Sequence, residues 1–136
     1  MKTQTTVIAF VTALLLSALA GCSSKTSGLK EGGIYSFKNE NGAYSVMKIL
    51  KVESAGVHVR IYSDQFDSPP TKVDESTLHL AGINHKPNEI IGVTDAAITG
   101  ATFETTYKPT FVQQSTVTDE ELEGYKKWKQ GNGKYF

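Results

Sequence analysis

The sequence predicts a mainly β domain, a small antiparallel β-barrel with one C-terminal α-helix. Three observations support this: an Asn41-Gly42 pair between β-rich runs, alternation over Val57–Ser63, and a helix-start pattern at Thr118. Asn-Gly is a strong hairpin signal, alternation of apolar and polar residues is typical of a strand, and Thr three residues before Glu is a capping box. A length of 136 residues suits one domain of ordinary size.

Three strands are predicted to follow one another as an antiparallel meander. Ile34–Lys38 and Ala43–Ser54 are rich in β-forming residues, and Val57–Ser63 follows a second tight turn at Ala55-Gly56. The middle run is apolar in both phases, so it is either buried on both faces or bent by a bulge. We expect bending, because a short sheet must curl to enclose a core, and this favours a barrel over a flat sheet.

The second half of the domain is predicted to hold loops, two more strands and the helix. Residues 64–88 are polar and proline-bearing, with a short strand or turn near Thr77–Leu80. Ile90–Thr94 and Lys108–Ser115 are the further strand candidates, and Ala96–Thr106 is ambiguous.

The helix is predicted over Asp119–Gln130. Thr118 and Glu121 form its capping box, and Val117 and Leu122 occupy the hydrophobic staple positions. Acidic residues in its first turn and lysines in its last complement the helix dipole. One apolar stripe, expected to pack on the sheet, consists of Leu122, Tyr125 and Trp128.

The segment Gly33–Ser63 resembles the opening hairpins of uncharacterised bacterial SH3-like domains. This resemblance implies an SH3-like small barrel with a C-terminal helix. Some of those domains resemble toxin-immunity proteins of polymorphic toxin systems. No functional residue is carried over from the resemblance.

Residues 1–21 have the layout of a cleaved signal peptide. Lys2 places a positive charge near the N-terminus, Val7–Leu16 consists almost wholly of apolar residues, and Ser17–Gly21 consists mostly of small residues. The apolar run is shorter than the roughly 20 residues of a spanning helix. An uncleaved N-terminal anchor is the alternative.

The end of this segment, Leu19-Ala20-Gly21-Cys22, resembles the lipobox of bacterial lipoproteins. The resemblance implies a diacylglycerol on the Cys22 thiol, cleavage between Gly21 and Cys22, and acylation (palmitate or a similar chain) of the new amino group. Ser23, where Asp would favour inner-membrane retention, resembles the outer-membrane class of a Gram-negative host. We therefore expect a protein of the cell envelope, facing the periplasm, with residues 22–28 as lipidated tether and residues 29–136 as its domain.

The charge and the cysteine content of the chain limit the classes of partner that we expect. The chain has 14 basic and 14 acidic residues, and removal of residues 1–21 takes away only Lys2, which leaves a net charge of about −1. A neutral domain gives no indication of nucleic-acid binding, which needs a clustered basic excess. The single cysteine excludes an internal disulfide. The expected partners are the membrane, through the lipid anchor, and an envelope protein.

One partner-binding face is predicted on the third strand. His58, Arg60 and Tyr62 lie in the phase opposite to its apolar residues, so they are expected to form an exposed basic-aromatic row. An ordinary solvated sheet face is the alternative.

No catalytic or metal site is predicted. His79 and His85 lack the spacing of helical metal pairs, and no Ser or Cys nucleophile motif is present. Acidic residues are expected to be solvated in a loop (Asp64, Asp67, Asp74, Glu75) or to serve the helix start (Glu120, Glu121, Glu123). We therefore expect no enzyme and no cofactor.

Three functions stay open at this point. The first is a non-catalytic binding or structural module held at the membrane by its lipid. The second is an immunity or inhibitor protein against an envelope-acting toxin or lytic enzyme. The third is a small hydrolase, which would need a pocket where histidine and acidic groups converge.

Overall fold

The computed structural model describes residues 26–136, which form one five-stranded antiparallel sheet with short helices. The described residues do not include the predicted signal peptide (residues 1–21), Cys22 or most of the predicted tether (residues 22–28). The strands are β1 (Gly33–Lys38), β2 (Tyr44–Val52), β3 (Gly56–Ile61), β4 (Val93–Thr99) and β5 (Thr110–Gln114). The helices are α1 (Gly100–Thr102), which continues as a π-helical turn (Phe103–Tyr107), and α2 (Glu123–Gln130), with a 3₁₀ turn at Glu75–Thr77.

The predicted meander is confirmed, because β1, β2 and β3 are sequential antiparallel neighbours. The β1–β2 turn uses Gly42 at φ 87°, a left-handed conformation that favours glycine. The bulge expected in β2 is present, since its pairing with β3 shifts register between Ile49 and Lys51. The alternative holds as well, because the strand is buried on both of its faces. The β1–β5 and β3–β4 pairings shift register as well, and such bulges increase the twist of a sheet.

The mainly β class and the C-terminal helix are confirmed, whereas a closed barrel is not observed. The strand order is β4-β3-β2-β1-β5, so β4 and β5 form the two edges of an open sheet. The chain passes between these edges through α1 and the π-helical turn. This helical connection occupies most of the segment Ala96–Thr106 that the sequence leaves ambiguous.

Both faces of the sheet are covered. One face carries the main apolar core, in which Phe103 of the π-helical turn packs over residues of β1–β4. The opposite face carries a smaller apolar cluster and several buried polar groups under loops and α2. The main core consists of Phe37, Met47, Ile49, Val57, Val59, Ile61, Ile98 and Phe103.

Two predicted boundaries are wrong. The fourth strand spans Val93–Thr99 and not Ile90–Thr94, since two alanines beside β3 continue the pairing as far as Thr99. Helix α2 begins at Glu123 and not at Asp119, because the preceding residues form i→i+3 bonds, including Glu123 N to Glu120 O at 3.2 Å. The predicted strand over Lys108–Ser115 is confirmed as β5.

The last residues of the predicted tether are part of the fold. Thr26 is buried, and its Oγ1 donates to the Glu53 carbonyl at 3.0 Å. Among the helices of residues 26–136, none is long and apolar enough to cross a membrane.

Candidate functional site: a buried lysine beneath an open cleft

Lys48 lies in the middle of β2, and its side chain is buried although it carries a positive charge. The side chain is only 2% exposed. Its Nζ donates to Glu75 Oε1 at 2.5 Å and to both carboxylate oxygens of Glu121 at 3.0 Å. A buried ammonium needs such partners, because losing its hydration without compensation is unfavourable by several kcal/mol.

The two carboxylates that hold Lys48 come from distant parts of the chain. Glu75 belongs to the 3₁₀ turn, and it also accepts hydrogen bonds from Tyr62 Oη at 3.3 Å and from Ser115 Oγ. Glu121 precedes α2 and accepts from Arg60 Nη1 at 3.4 Å. The network therefore ties β2 and β3 to the 3₁₀ turn, the end of β5 and the start of α2.

The predicted capping box is formed, and its carboxylate has a second role. Thr118 N donates to Glu121 Oε2 at 2.9 Å, and Glu121 N donates back to Thr118 Oγ1 at 3.3 Å. The same carboxylate binds Lys48 and Arg60. The sequence predicts a role for Glu121 only at the helix start, and its place in the buried network is seen only in the structure.

An open cleft of about 460 Å³ lies over this network. Four hydroxyl side chains contribute to its walls, together with five ionisable groups whose formal charges sum to −1. The lining residues are Lys48, Arg60, Glu75, Ser76, Ser115, Thr116, Thr118, Glu120 and Glu121. Such a cleft can bind a polar partner through hydrogen bonds and a basic group through its acidic side chains.

Hydrogen bonds favour the ionised form of Glu75. Burial acts to raise its pKa, but hydrogen bonds from Lys48 and Ser115 outweigh burial, and the pKa lies below its usual value. A general acid or base works best with a pKa near the operating pH. Glu75 is moved away from that range, and no histidine lines the cleft.

A second polar cluster lies under α2. His58 is fully buried, and its Nδ1 lies 2.9 Å from Asp95 Oδ1 on β4. Its ring meets Tyr125, Trp128 and Tyr135 edge-on, with centroid distances of 4.8, 4.5 and 5.6 Å. Since Nε2 is buried without a hydrogen-bond partner within residues 26–136, the neutral ring that donates from Nδ1 fits this geometry.

Helix α2 approaches this cluster closely at Gly124. A Cβ atom there would lie 2.7 Å from the Asp95 Cβ, closer than real side chains come. Glycine therefore lets the helix lie directly against β4. All three residues of the predicted apolar stripe are partly buried, and two of them, Tyr125 and Trp128, pack edge-on to the His58 ring.

Glu53, after β2, closes the rim of this cluster. Its carboxylate accepts from Tyr125 Oη at 2.6 Å, Lys129 Nζ at 2.8 Å and Tyr135 Oη at 2.7 Å. The bond from Lys129, followed by those from the two tyrosines, lowers the pKa of Glu53 to about 2.

We expect Glu53 to contribute stability at neutral pH that is lost in acid. Its pKa is lower in the folded state than the ordinary 4.5, so the contribution is complete above about pH 5 and declines as the pH falls toward 2. Thermal unfolding of the wild type and Glu53→Gln should thus differ at pH 7 and converge near pH 2. The control Glu40→Gln, in an exposed turn, should match the wild type at pH 7. A gap between wild type and Glu53→Gln that stays constant with pH would contradict the assignment.

The predicted exposed row on β3 is wrong. His58 is 0% and Tyr62 4% exposed, and the Arg60 side chain is 17% exposed. The reason is that α2 covers His58, while the 3₁₀ turn supplies Glu75 to Tyr62. Of these three residues, only Arg60 lines the cleft over Lys48.

The other two histidines, His79 and His85, are exposed, as expected for residues in loops. His79 Nδ1 lies 2.9 Å from Asp64 Oδ1, and His85 Nδ1 lies 3.0 Å from the Lys86 carbonyl. Across residues 26–136, no group of three or more histidine, cysteine or acidic residues could hold a metal ion. The lipidation site, Cys22 with Gly21, lies outside the described residues.

The buried lysine left a signal in the sequence. Lys48 interrupts the apolar phase formed by Tyr44, Val46, Leu50 and Val52, which marks a charge in a strand that is otherwise apolar on both faces. Its carboxylate partners left no comparable signal, because Glu75 and Glu121 are 27 and 73 residues away in the chain.

In comparisons with known proteins, no protein-family model, curated protein or solved structure matches this chain significantly.

Proposed function

We propose that this protein is a lipid-anchored, non-catalytic binding domain of the bacterial envelope, with the cleft over Lys48 as its recognition surface. The observation that carries the binding role is the cleft itself, whose walls are held by buried, mutually satisfied ion pairs. A surface fixed before binding loses little conformational entropy when a partner arrives.

The expected partner is a polar segment of an envelope protein that presents a lysine or arginine. Glu120 is exposed at the cleft, and Glu75 is 29% exposed, whereas Lys48 is covered. The accessible charge is therefore mainly acidic, and hydroxyl groups surround it. An open cleft suits a protruding side chain of a macromolecule, because a small ligand needs to be enclosed.

The lipid anchor is supported by the lipobox and by the absence of any other cysteine that could compete for that role. At about 0.8 kcal/mol per buried CH₂, two or more acyl chains give stable attachment. Mass spectrometry should find acyl chains on Cys22 of the mature chain. Cys22→Ser should leave the membrane fraction, and a variant that stays acylated and membrane-bound would contradict the anchor.

An SH3-like barrel is the finer form of the fold that we propose. Bulges in three of the four strand pairings support curling of the sheet, and the helical turn between β4 and β5 spans its open side. An immunity role is a narrower version of the binding function, in which the partner is a toxin. Protection of cells in a co-expression toxicity assay would establish it.

Reversing one acidic charge at the cleft should weaken partner binding about tenfold, the size expected for a favourable rim contact of about 1.4 kcal/mol. The variant is Glu120→Lys, and the matched control is Glu123→Lys, which makes the same charge change three residues away, outside the cleft lining. The measurement is quantitative cross-linked capture from envelope extracts with the full lipidated chain. Equal capture by the two variants would exclude the cleft as the binding surface.

A further inference from the structure

The N-terminal arm, residues 26–32, is bound to one end of the sheet. Thr26 Oγ1 donates to the Glu53 carbonyl after β2 at 3.0 Å, and Gly32 N donates to the Ile49 carbonyl at 2.7 Å. Between them, Leu29 packs against the main core. The chain is therefore fixed to the domain from Thr26 onward, at the end of the sheet where β1 begins and β2 ends.

This attachment limits how far the domain can stand from a lipid on Cys22. Four peptide units separate Cys22 from Thr26, and a fully extended chain of that length spans at most about 14 Å. A domain of this size is about 30 Å across. If Cys22 is acylated, which rests on the function proposed above, the end of the sheet that holds Thr26 is next to the bilayer.

The same end exposes basic and aromatic side chains. Lys30 and Phe111 line one small cleft with Gly28, and Lys51 and Lys129 lie over the Tyr125 ring beside Glu53. Phe136 pairs through its backbone with Thr99 at the end of β4, and it follows Lys134 and Tyr135. We call this surface the tether end: Lys30, Lys51, Phe111, Lys129, Lys134 and Phe136.

The charge of the tether end differs in sign from that of the domain. Its four lysine side chains outnumber the two acidic side chains that pair with them, Glu31 and Glu53, so the side chains carry a net charge of +2. Residues 26–136 as a whole carry 12 basic and 14 acidic side chains, because Lys2 and Lys25 are the basic residues before them. Phe111 is 55% and Phe136 83% exposed, so two large rings stand among these lysines.

We propose that the tether end docks directly on a bilayer that contains anionic phospholipid. The lysines contact lipid phosphates, and the two phenylalanine rings enter the boundary between headgroups and acyl chains. Each lysine near an anionic surface raises the docked population about fivefold. The cleft over Lys48 then has a fixed orientation relative to the membrane.

Fluorescent labelling of the full lipidated chain tests this orientation. Because the acylated Cys22 has no free thiol, an introduced cysteine can be labelled alone with an environment-sensitive nitrobenzoxadiazole group. The labelled positions are Phe111→Cys and Lys30→Cys at the tether end, with Asn41→Cys on the β1–β2 turn as the matched control. The vesicles contain phosphatidylethanolamine and phosphatidylglycerol, and quenching by brominated lipid measures depth.

We expect strong quenching and a blue shift at positions 111 and 30, and neither at position 41. Equal, weak quenching at all three positions would mean that the domain swings freely and would overturn the proposal. Quenching confined to position 41 would overturn it as well. Flotation of the same samples separates the two hypotheses: an acylated chain that floats without quenching refutes docking alone, and a mature wild-type chain that carries no acyl group on Cys22 refutes the anchor.

Charge reversal tests the lysines. In residues 26–136, Lys30 and Lys134 are exposed and form no ion pair, so Lys30→Glu/Lys134→Glu should preserve the fold. Two reversals should lower the docked population at least tenfold and reduce quenching at position 111. The matched control Lys38→Glu/Lys108→Glu makes the same change at the other end of β1 and should quench normally. Equal loss in both double variants, or in neither, would contradict docking by the tether end.

Discussion

Lys48→Met is expected to destabilise the domain by about 3 kcal/mol, one of the two largest effects that we predict for a single substitution. Methionine fills nearly the same volume, so the loss does not come from a cavity. It comes from Glu121, which is 10% exposed, and from the partly buried Glu75, since both would keep their charges without the ammonium that binds them. Urea unfolding at neutral pH measures the loss, and an unchanged m-value would show that the extent of unfolding is the same.

The triple variant Lys48→Met/Glu75→Gln/Glu121→Gln is the control for this interpretation. It removes the orphaned charges, so most of the lost stability should return, since replacing a whole buried ion network is often nearly neutral. The gap between wild type and Lys48→Met should also narrow in acid. The folded-state pKa of Glu75 lies below its ordinary value, so its contribution declines as the pH falls below about 4.5. A loss under about 1 kcal/mol in Lys48→Met would show that solvent already screens the network.

The meander could be predicted from sequence because its determinants are local. The Asn41-Gly42 turn, the second turn at Ala55-Gly56 and the alternation of β3 each act within a few residues, and together they fix three antiparallel strands. The bulge in β2 was predictable for the same reason, because a strand with apolar residues in both phases must bury both faces or change direction, and β2 does both.

Burial of the polar face of β3 could not be predicted in this way. Alternation identifies which residues share a face, but what covers that face depends on distant segments. Here Glu75 is 13 residues beyond Tyr62 in the chain, and Tyr125 and Trp128 are on the C-terminal helix. A histidine in the polar phase of a strand is therefore predicted to be exposed. In the structure, His58 instead contacts the Asp95 carboxylate and three aromatic rings.

The helix start shows how a local rule can hold while its boundary moves. The capping box between Thr118 and Glu121 forms as predicted. The Glu121 carboxylate must also reach Lys48, and the turn from Asp119 to Leu122 has i→i+3 bonds in place of α-helical ones. Glu121 therefore belongs both to the helix start and to the cleft, and its second role depends on Lys48, which is 73 residues away in the chain.

His58→Ala should also lower the free energy of unfolding by about 3 kcal/mol, at the middle of the range for large-to-small changes in a core. The ring is fully buried and lies within 5.6 Å of three other rings, so its removal leaves a cavity between β3 and α2. The carboxylate of Asp95, 9% exposed, would lose its partner at the same time. A buried acceptor left without a donor costs about 1–3 kcal/mol, and this cost is included in the predicted loss.

A double-mutant cycle with Asp95→Asn separates packing from the polar contact. Asparagine keeps the shape of Asp95 but removes its charge, so the coupling between positions 58 and 95 should be about 1 kcal/mol or more. Trp128 is the only tryptophan and contacts His58 directly, so its emission reports whether α2 stays in place. We expect a red shift in His58→Ala at pH 7 below the unfolding transition, because the Trp128 indole loses the ring against which it packs and becomes more exposed to water. Unchanged emission with a loss under about 1 kcal/mol would mean that α2 is held by the Glu53 contacts instead, and Glu53→Gln would then give the red shift.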